Sequence, residues 1–220
     1  MCLILVAWKV HPDTPLVVAA NRDEFHARPA TRAAFWEDRP DILAGRDLQA
    51  GGTWMGVSRS GRFAAVTNYR GGTEPGAAES RGSLVTKYLD GMEVTQLAER
   101  KSAYSGFNLL AADGNVLWWL SNRDSHARQL APGWYGLGNL LLDSPDVEAH
   151  KQRFRNNPLS IEPLFGMLAQ AKIVNERYGT RCSSVLLWGA ASTRLAERAF
   201  DAAGAELETL SYEWRPSRIS

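Results

Sequence analysis

Only two cysteines, Cys2 and Cys182, occur among 220 residues, so no disulfide framework can be built and a reducing compartment is expected. The four histidines, His11, His26, His126 and His150, are scattered and no Cys-x-x-Cys pair exists, which removes the common zinc, redox and haem-attachment patterns. Apolar stretches are short, and none approaches the length of a membrane-spanning helix. The formal net charge is +1, so electrostatics favours neither nucleic acid nor a membrane surface as partner. The apolar start has no basic segment before it and is soon followed by Lys9 and Asp13, which is not the build of a secretory signal. A cytoplasmic protein with no membrane span and no nucleic-acid partner is the expectation. No repeat or low-complexity linker divides the chain, and 45% hydrophobic residues supply an ample core, so a single domain over 1–220 is expected.

What is present begins at the second residue. Met1 precedes a small residue and is removable, so the mature chain would start with Cys2 and carry a thiol and a free α-amine on one residue. The amine titrates at about 7.7–8.0 and the thiol at about 8.5 when unperturbed. A nucleophile and its base would then share the end of the apolar strand Leu3–Ala7, as N-terminal-nucleophile catalysis requires. Cys2 reads equally as a small apolar residue opening a core strand.

Patterning predicts strands near 3–9, 15–20, 53–59, 62–68, 107–112, 115–121, 127–130, 134–138, 182–188 and 206–212. Helices are predicted near 81–90, 95–101, 146–156 and 161–173, with 193–203 also helical. Gly71–Ala78 reads as a surface loop, and Asp113-Gly114 as a hairpin turn. Strands and helices come in blocks rather than as βαβ units, which favours an α+β layered fold. Two stacked antiparallel sheets would use all these segments; periodicity alone also allows one sheet with helices on one face.

Four polar clusters sit where strands are predicted to end: Asn21-Arg22-Asp23-Glu24, Thr67-Asn68-Tyr69-Arg70, Gly136-Leu137-Gly138-Asn139 and Tyr178-Gly179-Thr180-Arg181. Each reads alone as a solvated turn or strand stop. Together they bring an acid, two amides and guanidinium groups to strand ends, an inventory suited to acyl transfer when joined to the Cys2 thiol and amine.

Cys2, Asn21-Arg22-Asp23-Glu24-Phe25 with Arg28-Pro29, Ala44-Gly45-Arg46-Asp47, Gly51-Gly52-Thr53-Trp54, Thr67-Asn68-Tyr69-Arg70, Ser80-Arg81-Gly82 and Tyr178-Gly179-Thr180-Arg181 occur in order between residue 2 and about residue 188. In this the chain resembles the NRDE family, also called the transport and Golgi organization family. That family is similar to N-terminal-nucleophile hydrolases of the choloylglycine hydrolase and penicillin acylase group. The resemblance implies a four-layer αββα sandwich of two antiparallel sheets. It also implies roles: Cys2 as nucleophile, Asp23 as the acid that orients the amine, Asn68 as oxyanion donor, and Asn139 and Arg181 in the places of the second Asn and the distal Arg. Arg22 departs from the hydrolase pattern, because it directly precedes Asp23 and adjacent strand residues point to opposite faces.

Two readings result. In one, Cys2 cleaves an amide or thioester of a small, apolar, acyl-containing ligand, and hydrolysis requires no cofactor. In the other, the same scaffold is a non-catalytic carrier of haem, lipid or acyl-CoA. His26 is nearest in sequence to the expected site but reads as a surface residue, and Cys182 as a core strand residue.

Overall fold

The structure, a computed structural model, describes residues 2–71 and 77–215. Met1 and residues 72–76 of the expected surface loop lie outside the described residues. The chain forms two compact units. The first comprises the chain up to Arg28, Pro132–Gly138 and the part from Asp143 to the end of the described residues; the second comprises Pro29–Ala131 and Asn139–Leu142.

The first unit is built on a six-stranded antiparallel sheet. Its strands are β1 (Leu3–Trp8), β2 (Leu16–Phe25), β10 (Gly133–Leu137), β11 (Tyr178–Trp188), β12 (Thr193–Phe200) and β13 (Glu206–Trp214). Their spatial order is β10-β1-β2-β11-β12-β13. Alternation sends Leu3, Leu5 and Ala7 of β1, Val17 and Ala19 of β2, and Val185 and Leu187 of β11 to one face. Phe154 of α3 (Glu148–Arg155) and Leu164, Phe165 and Leu168 of α4 (Ile161–Ala169) pack there. The central strands β1 and β11 are almost wholly buried along their length, which explains their near-continuous apolar runs.

The second unit is a seven-stranded antiparallel meander in chain order. It runs β3 (Ala34–Trp36), β4 (Arg39–Ala44), β5 (Met55–Ser58), β6 (Phe63–Asn68), β7 (Phe107–Ala112), β8 (Leu117–Ser121) and β9 (Arg128–Leu130). Helices α1 (Gly82–Leu89) and α2 (Val94–Glu99) bury Leu84, Val85, Tyr88, Leu89, Val94 and Leu97 against Ile42, Ala64, Leu109, Ala111 and Leu120. The turn between β7 and β8 forms at Asp113-Gly114 as its sequence predicts: Gly114 takes φ 88° and Asp113 Oδ1 accepts from the N–H groups of Asn115 and Val116. Among the described residues no helix is long and apolar enough to cross a membrane.

The α+β class with two antiparallel sheets is as expected, but three local expectations are corrected. Residues 193–203 were expected to be helical; Thr193–Phe200 is instead a strand, paired on both sides by β11 and β13. Its Ala, Leu, Glu and Arg content suits a helix, and tertiary pairing overrides that preference. The polar clusters at 21–24 and 178–181 do not follow or precede strands but lie within β2 and β11, which pair with each other across them. β3 and β4 were not anticipated, because β3 has three residues and Pro40 within β4 reads as a strand breaker.

Glu79 ties α1 to the turn before β7. Its carboxylate is ion-paired with Lys87, accepts from Tyr104 Oη at 2.9 Å and meets the Arg100 guanidinium at 3.1 Å. The Lys87 hydrogen bond, aided by Tyr104 and Arg100, pulls Glu79 down to about 2 from an ordinary 4.5. A depressed carboxylate stabilises the fold above its unfolded value and loses that contribution as pH falls through its folded value. Wild type is therefore expected to lose stability between about pH 4.5 and 2 more steeply than Glu79→Gln. Urea midpoints across that window test this; parallel curves would refute it.

Candidate functional site

Strand β2 lies between β1 and β11, and the two registers decide which side chains meet. On one side Leu3 pairs with Asn21, so Cys2, one residue earlier, falls across from Arg22. On the other side Arg22 pairs with Cys182 and Asp23 with Thr180. Residues directly across an antiparallel pair share a face. Cys2, Arg22 and Cys182 thus lie on the face opposite the helices, and Asn21 and Asp23 lie on the helix face. Arg22 shares the face of the thiol, and the Asp23 side chain starts on the other face.

Each member of the Asn-Arg-Asp-Glu run has a separate task. Asn21 is buried; its Nδ2 donates to the carbonyl oxygen of Leu168 near the end of α4 at 3.0 Å, and its Oδ1 accepts from Ser183 Oγ at 2.6 Å. Arg22 is buried beside the thiol. Asp23 is buried, and its Oδ1 accepts from Thr180 Oγ1 at 2.6 Å, while Thr180 Oγ1 itself accepts from the Ile173 N–H. Glu24 accepts from the Phe25 N–H at 2.8 Å.

Tyr178-Gly179-Thr180-Arg181 forms the other wall. Tyr178 Oη donates to the Asp23 backbone oxygen at 3.1 Å. Gly179 leaves room that a side chain would take: a Cβ there would sit 2.8 Å from the Ile173 oxygen and 3.2 Å from the His26 ring. The register shifts between Thr180 and Cys182, which leaves Arg181 as the extra residue of a bulge. Arg181 then turns to His26, donating to Nδ1 at 3.0 Å, while His26 Nε2 lies 2.9 Å from the Asn175 oxygen. An acceptor Nδ1 places the ring proton on Nε2. His26, expected at the surface, is half-buried and orients the Arg181 guanidinium. Only the fold brings these two side chains into contact.

Cys2 is half-buried, and its Sγ donates to the Asp23 backbone oxygen at 3.4 Å. Burial first, and then the Asp23 carboxylate, push its thiol above the ordinary value, while a backbone hydrogen bond with Asp23 and, less strongly, Arg22 oppose them. Cys182 is buried, and burial followed by the charge of Glu197 raises its thiol well above the ordinary value. Two strand spacings, roughly 10 Å, separate Cys2 from Cys182, beyond the reach of a disulfide.

Asn68 and Asn139 belong to the second unit. Asn68 ends β6 with an exposed side chain. Asn139 Nδ2 donates to the Asn68 backbone oxygen at 2.8 Å, and the Arg70 N–H donates to the Asn139 oxygen at 2.7 Å. The structure therefore assembles Cys2, Arg22 and Asp23 on neighbouring strands of the first unit, and Asn68 with Asn139 in the second.

The model of the family described as Transport and Golgi organisation 2 matches residues 1–160. A human protein described as Transport and Golgi organization protein 2 homolog is 40% identical over 164 residues, 66% of this chain and 59% of that protein. The Drosophila melanogaster Transport and Golgi organization protein 2 is 30% identical over 201 residues, 77% of this chain and 71% of that protein. The chain thus spans 59% of the length of the human relative it matches, as it does of the bovine one. Among solved structures, the C2A mutant of the conjugated bile acid hydrolase from Clostridium perfringens has a like fold, with TM-score 0.50 and 9% identity over 99% of this chain and 98% of that one. That likeness is one of fold alone.

The charges beside Cys2 predict opposite responses. Asp23→Asn removes a negative charge and lowers the pH midpoint for alkylation of Cys2 by iodoacetamide; Arg22→Gln removes a positive charge and raises it. Peptide mass analysis across pH reads both, and equal midpoints in the two variants would contradict the arrangement.

Proposed function

As the chain belongs to the Transport and Golgi organisation 2 family, we propose that it is an N-terminal cysteine acyl-transfer enzyme that hydrolyses an amide or thioester of an apolar acyl group. The observation that carries this reading is the thiol at the start of β1, hydrogen-bonded to Asp23 and set across β2 from Arg22. The solved structure of like fold is named a conjugated bile acid hydrolase, which supports hydrolysis as the reaction class.

The chemistry follows from the thiol. Burial and the Asp23 charge hold it above its ordinary value, so it rests protonated near neutral pH and needs a base to act. Removal of Met1 would supply that base as the Cys2 α-amine, whose ordinary value of about 7.7–8.0 suits proton transfer near neutral pH. The amine takes the thiol proton as Sγ bonds to the substrate carbonyl carbon, and the carbonyl π pair moves to oxygen. Collapse of that intermediate breaks the C–N or C–S bond, and the leaving group takes the proton from the ammonium. Water then cleaves the Cys2 thioester, which releases the acid and restores the thiol. Arg22, on the thiol face, favours the developing thiolate. Asp23 holds the ammonium form of the amine.

Intact mass of the purified protein, followed by incubation with decanoyl p-nitroanilide and acid quench, tests the reading. The expected result is loss of Met1 and a decanoyl adduct on Cys2 that is absent in Cys2→Ala. Retained Met1, or no adduct on the mature chain, would overturn the enzyme reading. A haem absorbance change in wild type that disappears in Cys2→Ala would then favour the carrier.

A further inference from the structure

Two donors converge on one oxygen beside Cys2. The Cys2 thiol reaches the Asp23 backbone oxygen at 3.4 Å, and the Tyr178 hydroxyl reaches the same oxygen at 3.1 Å. They come from opposite sides of β2, since Cys2 precedes β1 and Tyr178 opens β11. Tyr178 is held in place by its own pairing: its backbone is in register with Phe25, and the two rings meet edge to face at 5.3 Å.

The reaction changes only one of these donors. A neutral thiol donates a hydrogen bond, whereas a thiolate can only accept. When the Cys2 proton leaves, its bond to the carbonyl disappears and two electron-rich atoms face each other. A second donor on the same oxygen eases that approach, because the carbonyl keeps a partner and its lone pairs are drawn toward the phenol. Tyr178 can hold that position throughout: burial first, then the nearby Cys2, Asp23 and Glu24, push its hydroxyl well above the ordinary tyrosine value against the opposing charge of Arg22.

We infer that Tyr178 is a positioning residue for Cys2, its hydroxyl occupying the Asp23 carbonyl oxygen so that the thiol proton can leave. The inference rests on Cys2 being the nucleophile, as proposed above. The groups that face the thiol and bear on its titration are Asp23 and Arg22 on β2, together with Tyr178 on β11.

The test is the pH profile of Cys2 alkylation by iodoacetamide, read by peptide mass with thermal melting alongside. Tyr178→Phe keeps the ring against Phe25 and deletes the oxygen alone. It is expected to raise the midpoint by about one pH unit, which makes alkylation below the midpoint about tenfold slower. Phe25→Leu disturbs the ring contact, leaves the hydroxyl and is expected to keep the wild-type midpoint. If Tyr178→Phe does not fold, wild type grown with 3-fluorotyrosine carries a stronger phenol donor and is expected to show a lower midpoint. An unchanged profile in Tyr178→Phe or in the fluorinated protein, or an equal shift in Phe25→Leu, would overturn the inference. Alkylation needs no acyl transfer, so a chain that shows the Tyr178 shift but takes no decanoyl group would retain this inference and lose the proposed reaction.

Discussion

The pairing of β2 with a neighbour on each side is the constraint from which the candidate site follows. A strand alternates its faces at every residue, so a slip of one position would turn Arg22 toward the helices and Asp23 away from Thr180. The register with β1 sets the thiol across from a guanidinium, and the register with β11 gives the Asp23 carboxylate its hydroxyl partner. The bulge at Arg181 lets β11 satisfy β2 while releasing that arginine to His26.

This arrangement gives polar groups inside a sheet hydrogen-bond partners on the neighbouring strand. Burying an amide or carboxylate without a partner costs several kcal/mol on the order of an apolar transfer. Asn21 and Asp23 each receive a hydroxyl from β11, from Ser183 and Thr180 respectively. The same economy leaves the Cys2 thiol in tension: burial and Asp23 favour the protonated state and Arg22 opposes them. A group balanced in this way responds to the loss of any one neighbour.

The family pattern in the sequence mixes two kinds of residue. Asn21-Arg22-Asp23-Glu24 and Tyr178-Gly179-Thr180-Arg181 lie on the paired strands β2 and β11 of the first unit. The pieces in the second unit hold its own loops together. Arg46 grips Asp38 through both oxygens and lies over the Trp36 ring at 4.3 Å. A Cβ at Gly52 would sit 2.5 Å from the Gly82 backbone, so the Gly-Gly-Thr-Trp loop and the start of α1 need glycine where they touch.

Much of this was legible in the residues. The apolar runs at 3–8 and 182–188, the Asp113-Gly114 turn and the four helices near their observed positions follow from local pattern. Cys2 as a candidate nucleophile, with an acid and an arginine in one polar run, also follows from the chain alone. The nature of β12 did not, because its residues favour a helix and only two flanking strands make it extended. Nor did the partnership of Arg181 with His26, or that of Tyr178 with the Asp23 carbonyl, which join residues 155 positions apart. Local preference and alternation are properties of neighbours in the chain and can be read from it. Register, bulges and the choice of which strands lie side by side depend on contacts between distant residues, and these decided which face Arg22 shares.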